Sequence, residues 1–83
     1  MTHEMLTGIG EALGNPISYY LLTDVAGKGE ETYGLMVRYR DEQICVRDVT
    51  ARRGDMIQLL SALLRGAVTP VTVRDVIDDW LLA

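Results

Sequence analysis

Two hydrophobic periods divide the chain. From Ile17 to Val49 apolar residues recur at roughly every second position, and from Met56 to Leu81 they recur at three- and four-residue intervals. The first period predicts strands and the second predicts amphipathic helices. Ile17–Val25 is dense in β-formers and would place Ile17, Tyr19, Leu21 and Val25 on one face. Ala26-Gly27-Lys28-Gly29-Glu30 reads as a hairpin loop. In Thr32–Arg40, Tyr33, Leu35, Val37 and Tyr39 alternate with Gly34, Met36, Arg38 and Arg40, the pattern of a half-buried strand. Asp41-Glu42-Gln43 is a polar turn and Ile44–Val49 a third strand. Connections this short make neighbouring strands antiparallel.

Met56, Leu59, Leu60, Leu63 and Leu64 then form one helical stripe, and Val73, Val76, Ile77, Trp80 and Leu81 repeat its spacing. Asp55 is the expected N-cap of the first helix and Gly66 its C′ residue. Thr72, with Asp75 three residues on, is the expected cap of the second. Neither helix is long enough to be stable alone, so both need the sheet. Residues 1–16 are weakly patterned. Gly8, Gly10 and Gly14 disfavour a helix, Met5, Leu6 and Ile9 would suit a fourth, N-terminal edge strand, and Asn15-Pro16 reads as a turn.

Strands followed by helices point to an α+β fold. The expectation is one domain over residues 1–83: an antiparallel three-stranded meander over 17–49, with two C-terminal helices over 54–82 packed on one of its faces. Leu59, Leu60, Leu63, Val76, Ile77 and Trp80 are expected in the core.

Composition narrows the chemistry. The chain has 83 residues, so its core is thin. A single cysteine, Cys45, and a single histidine, His3, leave no internal disulfide and no zinc-binding cluster. Phenylalanine is absent, so aliphatic residues with four tyrosines and one tryptophan must fill the interior. A formal charge of −4 argues against nonspecific binding to a phosphate backbone. No apolar run approaches the ~18 residues of a membrane span, and Met1-Thr2-His3-Glu4 is unlike a signal peptide, so the expected location is cytoplasmic.

Several short stretches occur in a recognisable order: Tyr19-Tyr20-Leu21-Leu22, Glu31-Thr32-Tyr33-Gly34, Val46-Arg47-Asp48-Val49-Thr50, Thr69-Pro70-Val71, and Val73 through Leu81 with Asp75, Asp78 and Asp79. Together they resemble an uncharacterised family of short clostridial (Firmicutes) proteins catalogued only as a domain of unknown function. The resemblance spans roughly residues 17–82. It implies a bacterial cytoplasmic setting and carries no activity with it.

Candidate chemistry is sparse. Gly8, Gly10 and Gly14 approach a dinucleotide fingerprint, but the spacing is one residue too long and no βαβ unit follows. Asp75, Asp78 and Asp79 share a helix face, which is ordinarily a solvated one. Cys45 lacks a base to activate it and reads as a buried packing residue. No set of nucleophile, base and oxyanion donors can be assembled, so no catalytic residue, metal or cofactor is expected. What remains is the sheet face opposite the helices. Tyr20, Leu22, Met36, Arg38, Arg40 and Arg47 fall there by alternation and form the candidate interaction surface. Its apolar members suit a protein partner or self-association, by that face or by a strand edge. Its arginines, with Arg52 and Arg53 nearby, suit the alternative of a nucleic-acid-binding accessory protein.

Overall fold

The computed structural model describes residues 2–82; Met1 and Ala83, the two ends of the expected domain span, lie outside it. The chain forms β1 (Thr2–Ala12), β2 (Asn15–Val25), β3 (Glu31–Tyr39), β4 (Glu42–Thr50), α1 (Arg53–Arg65) and α2 (Pro70–Leu82). The strands make one antiparallel meander in the order β1-β2-β3-β4, so the architecture is α+β with four strands rather than three. The N-terminal segment is a full strand of 11 residues and not a short appendage.

Both helices pack on one face of the sheet. Ile17, Tyr19, Leu21, Tyr33, Leu35, Val37 and Tyr39 meet Met56, Leu59, Leu60, Leu63, Val73 and Ile77 in a single core. The expected core residues Leu59, Leu60, Leu63 and Ile77 are buried, whereas Val76 and Trp80 are only partly covered and pack on the rim. α2 is too near the end of the sheet to enclose an indole on all sides. In place of phenylalanine, tyrosines with bonded phenols line this face. The Tyr19 hydroxyl donates to the Val68 carbonyl at 2.8 Å and the Tyr39 hydroxyl to the Ala12 carbonyl at 3.0 Å. Burial raises the Tyr19 pKa above its ordinary value.

Glycines of β1 make room for α1. A Cβ on Gly8 would lie 2.7 Å from Leu64 Cδ2, and one on Gly10 would touch the same side chain at 3.5 Å. The Gly8/Gly10 spacing therefore serves helix-on-sheet packing.

Local signals moved by a residue or two. The β1–β2 turn is Leu13-Gly14, both at positive φ, so Asn15-Pro16 opens β2 instead of turning. Positive φ at both centres is the geometry that matches the twist of a two-residue hairpin. Arg40-Asp41 alone connects β3 to β4. Asp55 sits in the first turn of α1, where it complements the helix dipole; the N-cap position is Arg52, with no side-chain cap. At the other end Gly66 stays right-handed, and Ala67 takes the left-handed position with φ 49°. The Val68 N–H reaches the Leu63 carbonyl and the Ala67 N–H that of Leu64, the paired bonds of a Schellman ending. α2 starts at Pro70, whose missing N–H costs nothing in a first turn, and Thr72 lies inside that turn.

One irregularity shapes the far face of the sheet. Leu35 pairs with Val46 but Tyr33 pairs with Thr50, so β4 carries two extra residues opposite Gly34. Asp48 within this bulge has φ 57°. A Cβ on Gly34 would lie 2.2 Å from the Val46 carbonyl oxygen and 2.8 Å from Arg47 Cα. The backbone of β4 thus folds over β3 on the side away from the helices. Cα atoms of β4 come within 8 Å of β2, closer than the roughly 9.6 Å that two strand spacings give in a flat sheet.

Two substitutions test these backbone readings by thermal unfolding. Gly34→Ala should destabilise by about 3 kcal/mol, because the atoms it meets are main chain and cannot rotate away. Ala67→Gly should raise Tm by about 4 °C, since a left-handed alanine carries a penalty that glycine lacks. An unchanged melt for Gly34→Ala would mean that β4 does not close over β3.

Candidate functional site

The face opposite the helices is built by register. β1 contributes Thr2, Glu4 and Leu6, and β2 contributes Asp24, Leu22, Tyr20 and Ser18 opposite Thr2, Glu4, Leu6 and Ile9. β3 adds Gly34, Met36 and Arg38, and β4 adds Cys45 and Gln43 opposite the last two. The bulge changes what this face offers. Leu22, paired with Gly34, is 1% exposed and Met36 is 5% exposed. Both were expected to be open to a partner; instead they belong to the interior, beside the stretch where β4 crosses. Tyr20 is half-buried. Cys45, expected to be buried, is exposed.

Arg47 leaves the bulge and reaches across the sheet. Its Nε donates to Asp24 Oδ2 at 3.0 Å, and its Nη2 donates to Asp24 Oδ1 and to the Thr2 hydroxyl. Thr2 in turn donates to Asp24. A residue of β4 is thereby tied to β2 and β1. The hydrogen bond from Arg47, followed by that from Thr2, holds the Asp24 carboxyl down to a pKa of about 2.

The arginines are not gathered into one patch. Arg47 is committed to Asp24. Arg38 and Arg40 are exposed and line a shallow hollow of about 260 Å³ with Asn15, Pro16, Ser18 and Tyr39. Arg40 sits in the turn with its guanidinium 5.9 Å from the Tyr39 ring centroid. Arg52 and Arg53 lie at the start of α1. Asp75, Asp78 and Asp79 are exposed on α2, and among the described residues no group of three or more His, Cys, Asp and Glu side chains converges to hold a metal.

The most apolar open feature lies at β1, which the sequence reading left weakly defined. β1 is an edge strand whose outer side has no pairing strand among the described residues. Met5 is 45% exposed, Leu6 50% and Ile9 60%. A register shift at Thr7 sets Met5 and Gly8 on the helix face but Leu6 and Ile9 together on the other. The Thr7 hydroxyl satisfies the Tyr19 carbonyl at 3.0 Å. Beside this edge α1 overhangs, and a cleft of about 300 Å³ opens between Met5, Leu6 and Thr7 on one side and Ile57, Leu60, Ser61 and Leu64 on the other. The signal was present in sequence as Met5, Leu6 and Ile9, but the shift at Thr7 breaks the alternation that would have marked a strand.

A model described as a family of unknown function (DUF6514) matches residues 10–83, and the chain belongs to that family. The match begins earlier than the resemblance drawn from residues 17–82, taking in the end of β1 and its turn. No curated protein and no solved structure matches. No helix of the described residues is long and apolar enough to cross a membrane.

The Arg47–Asp24 tie predicts an acid-sensitive contribution to stability. Asp24 is depressed in the folded chain, so its contribution is present above the unfolded carboxylate pKa of about 4 and disappears as pH falls through about 2. Urea midpoints of wild type and Arg47→Gln should therefore converge over that window and stay parallel above it. A constant gap down to the lowest pH would show that the pair contributes nothing.

Proposed function

We propose that this chain is a non-catalytic protein-interaction or regulatory module that docks through the outer edge of β1 and the cleft between β1 and α1. The observation that carries the reading is the edge itself. An 11-residue strand presents unpaired main-chain groups, and edges of this kind recruit other strands unless something blunts them. Lysine and proline, the usual blunting residues, are absent from β1, and its middle is apolar. Main-chain bonds along such an edge supply affinity, and pockets for alternate side chains supply specificity. The cleft lined by Met5, Ile57, Leu60 and Leu64 is a pocket of that kind. A cytoplasmic location fits the exposed free thiol of Cys45.

The test is capture on immobilised protein, with tagged copies of the chain and native lysate as the inputs. Capture should be lost with Ile9→Lys, which puts a charge in the middle of the edge, and kept with Arg38→Ala. Capture indifferent to Ile9→Lys but abolished by Arg38→Ala and by salt would move the function to the arginine-bearing face.

A further inference from the structure

The edge-docking reading names a surface, and the composition of that surface selects its occupant. We infer that the partner is a second copy of this chain, joined β1 to β1 in antiparallel fashion about a two-fold axis to give one continuous eight-stranded sheet. This inference rests on edge docking at β1 and adds the identity of the partner.

Three observations point to self-pairing. First, near a two-fold axis each side chain meets its own counterpart, so a charge there repels itself. The stretch Met5-Leu6-Thr7-Gly8-Ile9-Gly10 at the middle of β1 carries no charge, while His3, Glu4 and Glu11 lie toward its ends. The overhanging side of α1 is equally uncharged at Ile57, Leu60, Ser61 and Leu64. A partner of another kind would leave a strongly acidic chain with no charge complementarity at the centre of its interface.

Second, the irregularity at Thr7 makes the strand compatible with itself. Antiparallel pairing sets residues of the same face opposite one another. Because the register shifts by one at Thr7, Leu6 before it and Ile9 after it occupy the same face. An axis between Thr7 and Gly8 then sets Leu6 of each copy against Ile9 of the other, and Met5 of each against Gly10 of the other. The first pair joins the half-exposed apolar side chains into one strip, and the second fits a long side chain over a position that has none.

Third, both sides of the seam are apolar. On the helix face the clefts of the two copies would abut, so Met5, Ile57 and Leu64 of each meet the same residues of the other. On the open face Leu6 and Ile9, 50% and 60% exposed in the single chain, would be covered. The strand is about 35 Å long, enough for the seam to run the width of the sheet.

Sedimentation equilibrium at micromolar concentration tests the inference. The wild type should approach twice 9.2 kDa. Ile9→Lys should weaken the dimer at least about tenfold, the loss expected for one central contact, with Tm unchanged because Ile9 is exposed. Val71→Lys, at an exposed position on α2, should remain dimeric. Hydrogen exchange should show β1 amides protected in the dimer and unprotected in Ile9→Lys. A monomeric wild type whose capture of another protein is abolished by Ile9→Lys would overturn self-pairing and leave edge docking standing. A dimer that survives Ile9→Lys with β1 amides unprotected would overturn both.

Discussion

A side chain at position 34 would collide with the carbonyl of Val46 and the Cα of Arg47, and the far side of this sheet is organised around that prohibition. Two helices of 13 residues cover only one face of four strands. A domain this small has no further element with which to cover the other. It uses β4 instead. Two extra residues, with Asp48 in the left-handed region, let the strand climb over the bare backbone at Gly34. Leu22 and Met36 are buried as a result, and Arg47 is carried far enough across to reach Asp24 and Thr2. One glycine thus links a backbone irregularity, a second small apolar cluster and a polar tie across the sheet.

The parts legible in sequence are those governed by regular period. The alternation from Tyr33 to Tyr39 marks β3, and the stripes at Met56–Leu64 and Val73–Leu81 mark the helices, because in each the buried face repeats without interruption. What escaped lies at breaks in period. The shift at Thr7 splits β1 into two halves of opposite parity, so its apolar residues do not look like a strand. The bulge in β4 buries Leu22 and Met36, which simple alternation puts on an open face. It also commits Arg47, leaving only Arg38 and Arg40 of the expected arginines free on that side. Helix ends moved for a related reason. Gly66 looks like the left-handed residue after α1, but the helix runs one residue further and Ala67 takes the conformation. Its bonds to Leu63 and Leu64 are kept, so packing against the core prevailed over local preference.

The tyrosines join the two layers. With no phenylalanine, the large rings under the helices each bring a hydroxyl into or near the core, and a hydroxyl there needs a partner. Tyr19 uses its hydroxyl to hold the α1–α2 connector at Val68. Tyr39 reaches past β2 to the end of β1 at Ala12. Tyr33 bonds Glu31 at the opposite end of its own strand, and that bond, with burial, raises its pKa. Replacing these rings by phenylalanine would keep the volume and remove the ties, so the choice of tyrosine specifies how the elements are joined as well as what fills the space between them.

Those ties also decide how the open edge behaves. β1 is held at its start by Thr2 through Arg47 and Asp24, at its middle by the Thr7 hydroxyl on the Tyr19 carbonyl, and at its end by Tyr39 on the Ala12 carbonyl. The glycines at 8 and 10 let Leu64 press on it from above. A strand fixed at three points and packed from one side has already lost most of the freedom that pairing would take from it. Ordering an edge is a large part of the cost of docking on it. An edge strand that frays presents its main-chain groups only intermittently, and a partner must order it first. β1 presents them continuously, in the extended geometry a second strand requires, with Leu6 and Ile9 already aimed at the same side. The bonds that complete the monomer therefore also prepare its one apolar edge for a partner strand.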